Sequence, residues 1–409
     1  MPARGDLTIE GRVLAPSARN AGDCRRATIR IAAGVIAEVA PPRGGDMVFG
    51  DDCLIAPGFI DLHAHCREDP SGTQTHKEDF ASAGAAAIAG GVVALADMPN
   101  NPEPPSTPER YAAKRRLADR APVDVVLFGL AETAPFRDDI PYKLFLSERP
   151  ACSEAELAEL FRAFAGTWLA VHAEDPAVLA ERRGAATHEE RRPREAEIAA
   201  VAKLLAALRA EPRLHLHICH VSAGECVPML RAAKREGLPV SAEACLHHLV
   251  FDAETFPPAL RAYRNVNPPL RTKADREALL EALREGVIDA LATDHAPHTP
   301  AEKERGASGF PGLDAYGAFA AGLLGPLAPA RFLDATSGFA AGFMRRFTGE
   351  TFGAIAPGAV GSLVVLAPRP SGVRKQSFTT KCGWSPYAGC TFPGEVRTTI
   401  VRGVPAYRR

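Results

Sequence analysis

The sequence predicts an α/β protein: a (β/α)8 TIM barrel with a small satellite β-domain formed by both chain termini. Two observations predict the barrel. Eight apolar runs alternate with alanine- and leucine-rich helical segments, and nearly every run ends in His, Lys, Asn, Glu or Asp. The C-terminal ends of barrel strands are where such folds build their sites. A third observation predicts the satellite, because both ends of the chain share a texture of short alternating runs broken by turn residues.

In order along the chain, LTIEGRVL, ATIRIAAGVIAEVA and DMVFGDDCLIAP are the N-terminal part of the satellite, assigned to residues 1–55. The barrel is assigned to 56–355. Its strands are LIAPGFIDLHAH, GVVALADMPN, VDVVLFGL, YKLFLS, WLAVHAE, LHLHICHV, LPVSAEAC and IDALATDHAPH. Between them PERYAAKRRLADR, EAEIAAVAKLLAALRA, CVPMLRAAKREG and DREALLEALREG read as helices. GSLVVLAP and VRTTIVRGVPAYR, within 356–409, return to the satellite. A doubly wound sheet would carry a glycine-rich phosphate loop after an early strand, and none is present.

The composition narrows the function. At 409 residues with a formal charge of −1, the chain can bury a large core and shows no basic stripe for nucleic acid. Small-molecule chemistry is the expectation. Nine cysteines without CxxC pairs fit a reducing compartment. The N-terminus lacks a signal-peptide core, and ASAGAAAIAGGVVALADMP is too short and glycine-broken to span a bilayer. A cytoplasmic location follows as an expectation, with neither membrane nor nucleic acid as partner.

The chemistry gathers on strand ends. In GFIDLHAHCRED, strand alternation places His63, His65 and Arg67 on one face. All twelve histidines lie between His63 and His298. His172 ends the fifth strand and His220 the sixth; His247 and His248 follow the seventh, and Asp294, His295 and His298 end the eighth. Neutral imidazoles with one carboxylate suit Zn2+ before Mn2+, Fe2+ or Co2+. Two such ions would need a bridging anion. Lys143, whose plain reading is a snorkelling or carboxylate-gripping cation, becomes that anion if CO2 converts it to a carbamate.

Other residues have plainer readings. His76 and His188 read as solvated surface residues, and His215 as packing. Cys219 and Glu243 stay open between packing and a role. RRPREAEIAAVAKLLAALRA reads as an amphipathic helix with a solvated outer face.

Taken together, GFIDLHAHCRED, DMPNN, YKLFLS, VHAED, HICHVS, EGLPVSAEACLHHL, NVNPPLR, TDHAPHTPAEK and GFPGL resemble the dihydroorotases of the amidohydrolase superfamily. The resemblance runs from about residue 55 to the C-terminus and is nearest to the dihydroorotase domain of the animal multifunctional pyrimidine enzyme. HxH marks only the superfamily, whereas TDHAPH with NPPLR separates dihydroorotases from hydantoinases and allantoinases.

The resemblance implies two zinc ions, one on His63, His65 and Asp294 and the other on His172 and His220, bridged by carbamylated Lys143. It implies that Asp294 is the catalytic acid and base, and that Arg67, Asn100 and His298 receive the substrate carboxylate, with Asn267 and Arg271 nearby. Cys219 and Glu243 match positions of a further, third zinc site.

Two departures stand out. SERPACSEAE puts Arg149 and Pro150 where relatives carry a threonine-containing lid, and Asn101 replaces a threonine beside Asn100. The implied reaction is the reversible cyclisation of N-carbamoyl-L-aspartate to L-dihydroorotate. Competing readings are a hydantoinase or allantoinase, and an inactive homologue serving as a scaffold for aspartate transcarbamoylase. The expected partners are the small-molecule substrate, further copies of the chain in a homo-oligomer, and aspartate transcarbamoylase.

Overall fold

A computed structural model describes residues 2–18, 23–367 and 378–409, with the backbone of 371–372. Eight parallel strands form the barrel: β1 (Phe59–Ala64), β2 (Val92–Asp97), β3 (Asp124–Leu127), β4 (Tyr142–Phe145), β5 (Trp168–His172), β6 (His215–Ile218), β7 (Val240–Cys245) and β8 (Ala290–Ala292). From β1 to β3 and from β4 to β8 each pairs with the next. The seam between β3 and β4 is made by Gly129–Leu130, the continuation of β3. The ring closes where the His65 amide donates to the His295 carbonyl at 2.8 Å.

Sequence chemistry explains the helices that wrap this ring. Thr107 caps Pro108–Ala118, with proline at the first turn, where its missing N–H costs nothing. Ser153 with Glu156, and Thr272 with Asp275, form reciprocal capping boxes. Leu204, Leu205 and Leu208 of Arg194–Ala210 turn into the core beside Leu216 and Ile218 of β6.

The satellite sheet joins both ends of the chain. Leu54–Pro57 pairs parallel with Leu7–Val13 and antiparallel with Leu363–Ala367, which in turn pairs with Glu395–Val401. Pro368, the last residue of GSLVVLAP, lies outside the described residues. Ile9, Ile29, Ile55, Val365 and Ile400 fill the sheet's core. Buried Arg402 ties this sheet to the barrel through Asp124 at 2.8 Å and through Glu350.

Two expectations about the first strand need correction. LIAP belongs to the satellite, not to β1, and only Gly58 separates the two strands. A Cβ there would lie 2.4 Å from Val93 Cγ1, so glycine is required by close approach. Strand alternation also does not deliver Arg67, because β1 ends at Ala64 and Arg67 has φ +59°. Among the described residues no helix is long and apolar enough to cross a membrane.

Candidate active site

At the C-terminal ends of the strands lies a cavity of about 180 Å³ lined by His63, His65, His172, His220 and Asp294, together with Arg67, Asn100 and Asn267. The backbone is bent to reach it. Arg67, His220 and Asp294 have φ of +59°, +37° and +45°, three of the five non-glycine residues in the left-handed region among those described. Such conformations cost about 1–3 kcal/mol each and cluster where side chains must be aimed. Buried Asp61 braces this end of the ring, accepting the amides of His63 at 3.1 Å and Thr293 at 3.2 Å.

The outer hydrogen bonds orient the imidazoles. His63 Nδ1 lies 2.5 Å from Glu243, His65 Nδ1 2.6 Å from Asn100, and His172 Nε2 2.6 Å from Glu174. Each acceptor fixes the N–H on the outer nitrogen and leaves the inner one as a lone-pair donor. Those inner nitrogens converge. His65 Nε2 is 2.9 Å and His63 Nε2 3.4 Å from Asp294 Oδ1, while His172 Nδ1 faces His220 Nε2 at 2.9 Å.

Electrostatics favour neutral imidazoles and a charged supporting carboxylate. Burial lowers His63 to about 4 and pushes His65 and His220 well below the ordinary histidine value. Burial also raises Asp294. Glu243 goes the other way: burial alone would raise it, but His63 and His217 hold it well below the carboxylate range.

Two groups of donor atoms could each hold a cation, His63–His65–Asp294 and His63–Cys219–Glu243. His63 serves both, with Nε2 towards Asp294 and Nδ1 towards Glu243. The donor set of neutral nitrogens, carboxylates and one thiol fits zinc. Lys143 is fully buried, with Nζ 2.9 Å from Cys219 Sγ and no carboxylate paired with it among the described residues.

The remaining sequence candidates divide. Arg67 lies 3.3 Å from His298, and its Nε is buried without a partner among the described residues. Asn267 also lines the cavity. Arg271 does not. It is held by the Arg192 carbonyl at 2.8 Å and Ser222 at 3.2 Å, with Glu197 3.8 Å away.

His76 is exposed, as expected, but His188 is not a solvated surface residue: it is half-buried and bonds the Val266 carbonyl at 3.0 Å. His247 and His248 sit in the short helix Leu246–Val250 outside the cavity lining, and His295 is engaged by Glu78 at 3.1 Å. Sequence reasoning missed Arg192 and Glu174. Arg192 precedes the helix that begins at Arg194 and turns inward onto Glu174, which in turn holds His172. The signal was the buried acid in VHAED, which calls for a cation.

The fold and the convergent donors define a (β/α)8 barrel with a candidate metal site, and comparison with known proteins specifies the class. The amidohydrolase family model matches residues 54–405, and the chain belongs to that family. It is 36% identical to a dihydroorotase of Thermus aquaticus, over 87% of this chain and 89% of that one. It is 38% identical to an allantoinase of Streptomyces avermitilis, over 67% of each chain. The fold of the dihydropyrimidinase from Brevibacillus agri superimposes with a TM-score of 0.86 at 22% identity, covering 99% of this chain and 95% of that one. The protein is accordingly an enzyme of the cyclic amidohydrolase type, resembling the dihydroorotases.

Proposed function

We propose that the chain is a dihydroorotase, interconverting N-carbamoyl-L-aspartate and L-dihydroorotate with loss or gain of water in pyrimidine biosynthesis. The observation that carries this reading is a buried guanidinium with an open N–H at the same cavity as the His/Asp donor set. A ring bearing a carboxylate uses both features; hydantoin or allantoin would leave Arg67 without an anion. The dihydroorotase relatives support the same substrate.

In this reading His63, His65 and Asp294 would hold one zinc ion, His172 and His220 would hold a second, and Lys143, as its carbamate, would supply the anion they need. A buried ammonium with no carboxylate partner is costly, and carbamylation exchanges that cation for an anion among neutral imidazoles. Cys219 and Glu243, with His63, are proposed for a third zinc, which would take the place of the proton on His63 Nδ1 and of the Cys219 thiol proton. Bound zinc would polarise the ring amide carbonyl and lower the pKa of a bound water from about 15.7 towards ~7.

The protein's own groups do the rest. Asp294 accepts the proton of the attacking water and returns it to the leaving ring nitrogen. The Arg67 guanidinium offers a planar fork to the substrate carboxylate, aided by His298 and by Asn100, which also fixes His65. Asn267 contributes from the rim. Further parts of the proposal are a cytoplasmic location, a homo-oligomer and association with aspartate transcarbamoylase.

The test is the ultraviolet absorbance of zinc-loaded protein with L-dihydroorotate, with hydantoin and allantoin in parallel. Loss of dihydroorotate alone supports the reading. Turnover of a neutral ring instead moves the enzyme to the hydantoinase or allantoinase group, and no turnover with zinc bound favours the scaffold.

A further inference from the structure

The catalytic cavity shares Ser147, Glu148, Arg192, Asn267 and Ser308 with a neighbouring cavity of about 550 Å³. The charge on the wall of this vestibule is one-sided. Arg149, Arg183, Arg191 and Arg192 line it against one carboxylate, Glu148. Arg192, at the neck, is engaged by Glu174. Arg149 donates to the Glu132 carbonyl at 2.9 Å, and Arg191 to the carbonyls of Ala185 and Ala186 at 3.2 Å, so neither is in a close ion pair among the described residues. The Arg183 guanidinium has neither hydrogen bond nor ion pair among the described residues. Pro150, Pro176, Ala177 and Leu179 form apolar wall between these cations. Like charges beside apolar walls focus their field into the cleft and concentrate counter-ions there.

We propose that this vestibule is a capture site for small dicarboxylates, delivering the open-chain substrate to the neck at Arg192. The inference rests on the dihydroorotase reading and deepens it. N-carbamoyl-L-aspartate carries two carboxylates, and the stretch SERPACSEAE sets Arg149 and Pro150 in the wall.

The test is kcat/KM for cyclisation of N-carbamoyl-L-aspartate as a function of salt in zinc-loaded wild type, Arg183→Gln, Arg183→Glu and Arg183→Lys. Arg182→Gln makes the same change of net charge at an exposed neighbour outside the vestibule lining. Arg183→Gln is expected to lower kcat/KM about threefold at low salt and Arg183→Glu about tenfold, with kcat unchanged. Arg183→Lys restores the value, and the differences fade above about 0.3 M salt as screening shortens the reach of the charge. Equal values in all variants, or an equal loss in Arg182→Gln, would overturn the proposal. The dihydroorotase reading is judged separately, by wild-type turnover. If the wild type turns over neither substrate, calorimetry with N-carbamoyl-L-aspartate decides: binding lost in Arg183→Glu supports the vestibule, and equal or absent binding overturns it.

Discussion

At the start of β6, His215 lies flat on Trp168, ring centroids 3.8 Å apart, with its Nε2 2.7 Å from Ser241. Just past the strand's other end, His220 faces a second imidazole, and its Nδ1 has no partner among the described residues. Between them His217 has both nitrogens occupied, by Ser241 at 2.8 Å and Glu243 at 3.0 Å. His217 and His220 are equally buried, at 1% and 2% exposure, so burial does not separate support from function. What separates them is whether a polar atom already has a protein partner. The closed end of the barrel satisfies its histidines, whereas the open end leaves donors and acceptors for something else to complete.

The largest effect tests the open end directly. Asp294→Asn should retain most of the bound zinc while ring opening falls by about 10³-fold, the scale of a lost acid–base group. Near-normal turnover would take proton transfer away from Asp294. His220→Gln should lower turnover by roughly 100-fold and also remove zinc, read by metal analysis of the purified protein. If zinc content and rate both survived, the His220 imidazole facing His172 would be packing after all.

The contrast also explains what the sequence could show. The histidines and Asp294 sit at strand ends, where period-two patterning gives way to polar residues, and that rule needs no three-dimensional detail. Arg67 was selected by alternation along β1, yet it enters the cavity through a positive φ. The Arg192–Glu174 pair was hidden because an arginine before an amphipathic helix looks like any solvated helix start. Arg271 differs for another reason: NPPLR sits near the site, but two of its guanidinium nitrogens are taken by Ser222 and the Arg192 carbonyl and the residue is outside the cavity lining. The β1 boundary was illegible because LIAPGFIDL is one apolar run, and only the packing of Gly58 against Val93 divides it.

Arg67 occupies the middle of the scale. Its open Nε invites an anion, and lysine would keep the charge but lose the fork. Arg67→Lys should raise KM for L-dihydroorotate about tenfold with a smaller change in kcat, since one charge-assisted hydrogen bond is worth about 1.5–3 kcal/mol. An unchanged KM would assign the carboxylate to another group.

The closed end should respond in stability rather than rate. Burial first, and then the neighbouring His217, Arg346 and Lys234, lower His215 to about 3. Below pH 6.5 the unfolded chain therefore takes up a proton that the folded chain refuses, and stability is lost as pH falls from 6.5 towards about 3. One such proton corresponds to a slope of about 1.4 kcal/mol per pH unit. His215→Phe keeps a ring against Trp168 and removes the titration. It should leave turnover at neutral pH unchanged while flattening the acid limb of a denaturation-midpoint profile. An unchanged acid limb would place the titrating group elsewhere, and a large loss of turnover would mean that the two ends of β6 are not separate in function.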